Sequence, residues 1–186
     1  MARILIAYAT GDGQTGRVAT RMADVLKKEG HQATLADIAS SPQPRIEDHD
    51  AVLLGAPVRF GRHRKNVIGF CREHVAALQQ RPSAFFSVSL SGGTATPGAR
   101  REVAKSMAHF LTKTTWVPAR TFVAAGALLY TKYNPFLRRV MRLFARMAGR
   151  DTDITRDYEY TDWSAVEEFA RDFGARLPGS ALASAA

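Results

Sequence analysis

Five short apolar runs, rich in β-branched residues, alternate along the chain with segments whose apolar residues recur at helical spacing. The runs are Arg3 to Tyr8, His31 to Ile38, Ala51 to Ala56, Ala84 to Leu90 and Thr121 to Leu128. Short runs without polar alternation predict strands buried on both faces. Val18, Met22, Val25 and Leu26 predict a helix that stops at Gly30. Further helices are predicted over Val67 to Leu78, over 100–114 and over Ser164 to Leu177. The last would be capped by Asp162 or Ser164 and would bury Val166, Phe169, Ala170 and Phe173. This alternation specifies an α/β fold, a doubly wound parallel sheet of five strands with helices on both faces. Such sheets bind ligands beyond the carboxyl ends of their strands. The loops 10–15, 56–64, 90–99 and 127 onward are therefore expected to carry the site.

At 186 residues the chain is expected to form one domain over 1–177, with a small, uncharged tail over 178–186 that is expected to be disordered. Ser40 to Arg45, with Pro42 and Pro44, is expected to be loop. A single cysteine, Cys71, excludes an internal disulfide and points to a reducing compartment; it is expected to pack in the core. No apolar run approaches the roughly 18 residues of a membrane span. The start of the chain leads into Thr-Gly-Asp-Gly-Gln-Thr rather than a cleavage site, so no signal peptide is expected. Twenty-six Lys and Arg against 17 Asp and Glu give a net charge of +9. That balance favours an anionic partner: a nucleic acid, an acidic lipid or an acidic small molecule.

The loop after the first run reads Thr10-Gly11-Asp12-Gly13-Gln14-Thr15-Gly16. Its glycines permit a tight turn, its two threonines add hydroxyls, and a helix starts directly after it. The combination describes a phosphate cradle; the plainer alternative is a glycine-rich connection with an Asp-Gly turn. No Gly-Lys-Ser/Thr follows, so it is not a P-loop. Gly11, Gly13 and Gly16 match the dinucleotide fingerprint only in form. With no Lys or Arg inside it, the loop suits a single phosphate monoester.

Thr-x-x-Gly-x-Thr after an N-terminal strand resembles the phosphate loop of the flavodoxin superfamily. More narrowly, four stretches resemble the flavodoxin-like, menaquinone-dependent protoporphyrinogen IX dehydrogenases: Thr10 to Thr15, Gly55 to Gly61, Pro82 to Val88 and Ala125 to Tyr130, with Tyr160-Thr161-Asp162-Trp163 before the last helix. The resemblance runs from residue 1 to about 177. It implies a flavodoxin-like sheet of order 2-1-3-4-5, a helical insertion at about 129–160, and FMN as cofactor. The implied activity is oxidation of protoporphyrinogen IX to protoporphyrin IX, in heme biosynthesis, with menaquinone or another quinone as acceptor.

By the same resemblance, Thr10, Gly11, Asp12, Gly13, Gln14 and Thr15 would hold the phosphate. Pro57, Val58, Arg59, Phe60 and Gly61 would flank the flavin ring, and Ser87, Leu90, Ser91 and Gly92, with Gly126 and Ala127, would lie on its other side. Pro57 offers no backbone donor to the ring, and it departs from the family, which usually has a small polar residue there; Phe60 stands where the family usually has tyrosine. Arg59 would stabilise the reduced flavin or pair with a substrate carboxylate; the plainer alternative is a solvated arginine. His63 is expected to be a solvated loop residue, with a proton relay as the alternative. No residue is assigned as certainly catalytic, because the cofactor carries the chemistry, and no His, Cys and Asp spacing suggests a metal.

Residues 129–160 stand apart from the alternating pattern. Phe136, Leu137, Val140, Met141, Phe144 and Met147 recur at helical spacing behind Pro135. Between Tyr130 and Arg150 lie six basic residues (Lys132, Arg138, Arg139, Arg142, Arg146 and Arg150) and no acid. A basic amphipathic helix of this kind suits an anionic membrane surface; the plainer alternative is a surface helix whose apolar face is core. Arg138, Arg139, Arg142, Arg146, Phe136, Leu137 and Phe144 are the expected membrane or substrate rim. The charge also suits the two propionates of a porphyrinogen.

A flavodoxin electron carrier and an NAD(P)H-fed quinone reductase remain open alternatives, although carriers of that type are acidic. Nucleic-acid binding is not expected, since the charge clusters on one insertion. The expected location is cytoplasmic, peripheral to the inner face of the cell membrane. Quinone type and oligomeric state are not legible.

Overall fold

The computed structural model describes residues 1–40, 45–147 and 149–177. In chain order its elements are β1 (Arg3–Tyr8), α1 (Gln14–Lys28), β2 (Gln32–Asp37), β3 (Ala51–Arg59), β4 (Arg62–His63), α2 (Lys65–Glu73) and α3 (Val75–Gln79). Then follow β5 (Ser83–Ser89), α4 (Pro97–Thr114), β6 (Arg120–Ala125), β7 (Ala127–Leu128), α5 (Pro135–Met147), β8 (Tyr158–Glu159) and α6 (Trp163–Ala175). The five long strands pair in parallel in the order β2-β1-β3-β5-β6. Counting those strands alone, this is the expected 2-1-3-4-5.

The pleat sorts β1 between two cores. Ile4 and Ile6 pack with Val18, Met22 and Leu26 of α1 and with Val166, Phe169 and Phe173 of α6. Leu5 and Ala7 face the other way, with Val67, Phe70 and Cys71 of α2 and Phe110 of α4. All four β1 residues are wholly buried, which is why the run shows no alternation. Each such side chain removed from water contributes about 1.5–3 kcal/mol. Cys71 is fully buried, as its packing role requires, and burial pushes its thiol pKa upward.

Four expected boundaries change. Val67 to Leu78 is not one helix, because the backbone leaves helical geometry at His74 and splits it into α2 and α3. α4 starts at Pro97 rather than 100: Thr96 caps it, its hydroxyl accepting from Ala99 N, and proline fits the first turn. The fifth run breaks at Gly126, so β6 ends at Ala125 and β7 leaves the main sheet to pair antiparallel with β8. β3 runs on to Arg59 and returns as β4, where a loop was expected. Phe60 (φ 52°) and Gly61 (φ 72°) both adopt left-handed backbone there, the requirement of a tight two-residue hairpin. Asp162 is the cap of α6, accepting from Ala165 N at 3.0 Å. Residues 41–44 of the expected loop and the expected tail over 178–186 lie outside the described residues.

Candidate functional site

A cleft of about 380 Å³ opens where β1, β3, β5 and β6 end, the position a doubly wound sheet prescribes. Its floor is the Thr10–Thr15 loop. Gly13 takes φ 93° at the cap of α1, a conformation open to glycine. Its N–H donates to Thr10 Oγ1 at 3.0 Å, which leaves the Thr10 hydroxyl proton for another acceptor. Gln14 and Thr15 are buried. The Gln14 amide is committed to Glu159 Oε1 and Thr161 Oγ1, both at 2.8 Å, and so faces the end of the insertion and the residue just past it.

The loop has no cation of its own, yet two reach it from the β3–β4 hairpin. Arg59 Nη2 donates to both carboxylate oxygens of Asp12, at 2.7 and 2.8 Å. Arg64 donates to the Thr10 carbonyl at 2.9 Å. The structure thus ties Arg59 to the phosphate loop through Nη2 while its side chain still lines the cleft. Tyr133, from the insertion, donates its hydroxyl to Asp12 Oδ2 at 3.2 Å. Burial, reinforced by Asp12, pushes the Tyr133 pKa up to about 12, so the hydroxyl stays protonated at neutral pH.

Pro57, Val58, Phe60 and Gly61 form one wall and Leu90, Ser91, Gly126 and Ala127 the other, with Thr10, Gly11, Asp12, Gln14, Thr15 and Arg59 also lining. Three expected residues do not line this cleft. Ser87 is buried inside the sheet, bonded to His63 Nε2 at 2.9 Å. Gly92 lies against the β6 backbone, where a Cβ would overlap the Ala124 carbonyl. Gly13 shapes the loop but lines a depression on its far side, with Tyr8, Arg17 and Trp163.

His63 also corrects its expectation. It is 5% exposed, packed against Phe85 and Phe110, and burial lowers its pKa to about 4. It is a neutral anchor for β4, not a solvated loop residue.

The insertion forms the roof. Met141, Phe144 and Met147 of α5 line the cleft, and the Phe60 and Phe144 rings lie 5.0 Å apart. Two of its arginines are internal staples. Arg138 donates to the carbonyls of Tyr130 and Tyr133 and so leaves the expected rim. Arg150 donates to those of Leu90 and Gly92 and lies 4.3 Å over the Tyr160 ring. Leu137 leaves the rim too, packing with Tyr130 and Tyr133 in a small core beneath α5. Arg139, Arg142 and Arg146 stay exposed beside Phe136, Leu143 and Met147.

The sequence reading missed Tyr133, Met141, Met147 and Glu102 as lining residues. Thr96-Pro97 was a legible cap that would have brought the start of α4, and Glu102 behind it, to the cleft. Nothing local marks Tyr133, whose partner is 121 positions away. Glu102 Oε2 accepts from Ser91 Oγ at 2.6 Å. Ser89 Oγ is buried at the cleft without a protein hydrogen-bond partner. That orphaned hydroxyl, the N–H cradle and the apolar walls fit a flat polar ring joined to a phosphate.

Residues 5–155 match the Flavodoxin domain family. The chain belongs to that family. This flavodoxin domain is similar over its length to oxidised Flavodoxin 2 of Bacillus cereus, at a TM-score of 0.57, 17% identity, and coverage of 95% of this chain and 100% of that one. At that identity the likeness speaks for the fold. The flavodoxin domain is 37% identical over 171 residues to the Escherichia coli (strain K12) protein named protoporphyrinogen IX dehydrogenase (quinone), covering 91% of this chain and 93% of that one. A Leishmania major protein of the same name is 35% identical over 179 residues, covering 93% of this chain and 75% of that one.

Proposed function

We propose that this flavodoxin domain is an FMN-dependent oxidoreductase of heme biosynthesis, which oxidises protoporphyrinogen IX to protoporphyrin IX and passes the electrons to a quinone. The observation that carries the reading is the 37% identity over 91% of the chain to an enzyme of that name, on a chain whose cleft fits the cofactor. FMN, when bound, supplies hydride acceptance and electron return to the quinone.

The chain's own residues bind, orient and cover it. Backbone N–H groups of Gly11, Asp12, Gln14 and Thr15, with the Thr10 hydroxyl, would hold the phosphate ester at the start of α1, the Gly13 N–H being taken by Thr10 Oγ1. The hairpin over Pro57–Gly61 and the strand end over Ser89–Ser91 would flank the ring, and the unpartnered Ser89 Oγ would be free to donate to it. Met141 and Phe144 would cover the cleft from above, with the exposed Met147 at its rim.

We further propose that residues 1–177 act as one unit and that α5 docks on an anionic membrane surface. Arg139, Arg142 and Arg146 would face the headgroups, and the exposed Phe136, Leu143 and Met147 would enter the interface. No helix among the described residues is long and apolar enough to cross a membrane. A quinone and a poorly soluble porphyrinogen would then both arrive at the roof of the cleft. The purified protein, loaded with FMN and mixed anaerobically with protoporphyrinogen IX and a menaquinone analogue, should generate porphyrin fluorescence only when FMN and quinone are both present. Fluorescence that is independent of either would refute the reading.

A further inference from the structure

Three parts of the fold converge on Asp12. The residue stands in the phosphate loop; Arg59 reaches it from the end of β3 at 2.7 and 2.8 Å, and Tyr133 from the insertion at 3.2 Å. Tyr133 is 5% exposed, and its own oxygen accepts from Leu129 N, so its hydroxyl is aimed and not free to wander. Arg59 also lies beside the Gly11 backbone.

A phosphate held by the N–H groups of this turn would have the Asp12 carboxylate as its neighbour, with no Lys or Arg within residues 10–16 to offset it. An unpaired carboxylate beside a bound phosphate at a partly exposed site would repel it, weakening binding on the order of 30-fold. The cation and the hydroxyl on Asp12 remove that repulsion before the ligand arrives.

We propose that Asp12 is a charge-compensated neighbour of the flavin's phosphate ester: Arg59 neutralises its charge and the neutral Tyr133 hydroxyl holds its carboxylate in place, so the insertion takes part in phosphate recognition without touching the phosphate. This rests on the FMN reading. It makes Arg59 a positioning and compensating residue, not a phosphate ligand. It also explains why a loop with no Lys or Arg of its own tolerates an aspartate.

The test is titration of the flavin-free protein with FMN and with riboflavin, followed by quenching of flavin fluorescence. Riboflavin lacks the phosphate and reports any merely structural damage. Arg59→Gln should weaken FMN about 30-fold and riboflavin less than threefold. Asp12→Asn combined with Arg59→Gln should return FMN affinity to within about fivefold of the parent, because the anion that Arg59 compensates is gone. Tyr133→Phe should weaken FMN about fivefold, spare riboflavin, and have no effect in the Asp12→Asn background. Equal losses of FMN and riboflavin would overturn the proposal. So would a double variant as weak as Arg59→Gln alone, which would make Arg59 a direct phosphate ligand. A parent that binds neither flavin would instead remove the FMN reading beneath it.

Discussion

The rings of Phe60 and Phe144 lie 5.0 Å apart at 54°, one on the β3–β4 turn and the other on the insertion helix, closing the mouth of the cleft. Phe60 is held there in left-handed backbone, an unfavourable conformation for a bulky residue. The hairpin's closure over-determines that position and presents the ring, 56% exposed, to the roof. An aromatic pair of this kind contributes about 0.5–1.5 kcal/mol beyond the area it buries.

Phe144→Ala removes one ring of that pair without touching the phosphate loop. The expected result is a rise in KM for protoporphyrinogen of about twofold to twelvefold, the fold-change equivalent of that energy, with FMN affinity within about twofold. Steady-state porphyrin fluorescence and flavin titration measure the two quantities separately.

His63 carries a pH signature. Its folded pKa, about 4, lies below its usual 6.5 because it is buried against Phe85 and Phe110. Between those values the unfolded chain holds more protons than the folded one, so stability rises with pH through this window and is lost as pH falls from 6.5 towards 4. The full loss is on the order of 3 kcal/mol. Urea unfolding of the parent and of His63→Gln should show the variant less stable at pH 7 but with a visibly flatter pH dependence between 4 and 6.5. Identical slopes would mean that His63 does not titrate as its burial demands.

Arg150 ties the insertion to the loop after β5 through the carbonyls of Leu90 and Gly92. Arg150→Ala should cost about 1–2 kcal/mol, or a fall in thermal midpoint of roughly 3–6 °C for a chain of this length. Arg150→Lys should recover less than half, since the planar fork serves both carbonyls and stacks on Tyr160.

The strand pattern was legible because burial on both faces leaves a continuous apolar run, as in Ile4 to Ala7. The phosphate loop was legible because glycine and threonine spacing is a local requirement. Arg138 and Leu137 were misplaced for a different reason. A helical stripe gives a residue's face, but not whether a second small core lies beneath it. Likewise Ser87 and His63 look polar in sequence, yet they are buried together, bonded to each other through His63 Nε2, with the His63 ring packed on Phe85 and Phe110.

Arg139, Arg142 and Arg146 are the arginines of α5 that remain exposed once Arg138 is recognised as a staple. Replacing the three with glutamine should reduce co-sedimentation with vesicles rich in phosphatidylserine by about 100-fold in partition coefficient, at roughly 1 kcal/mol per charge. Arg138→Gln should instead lower thermal stability and leave partition within about threefold. Equal partition of the triple variant and the parent would remove the membrane role.

The most direct test follows the visible flavin absorption of the FMN-loaded protein in two anaerobic half-reactions. Protoporphyrinogen IX should bleach the flavin, and a menaquinone analogue should restore it as porphyrin fluorescence rises. A flavin that binds in the cleft but stays oxidised in the presence of protoporphyrinogen would contradict the account.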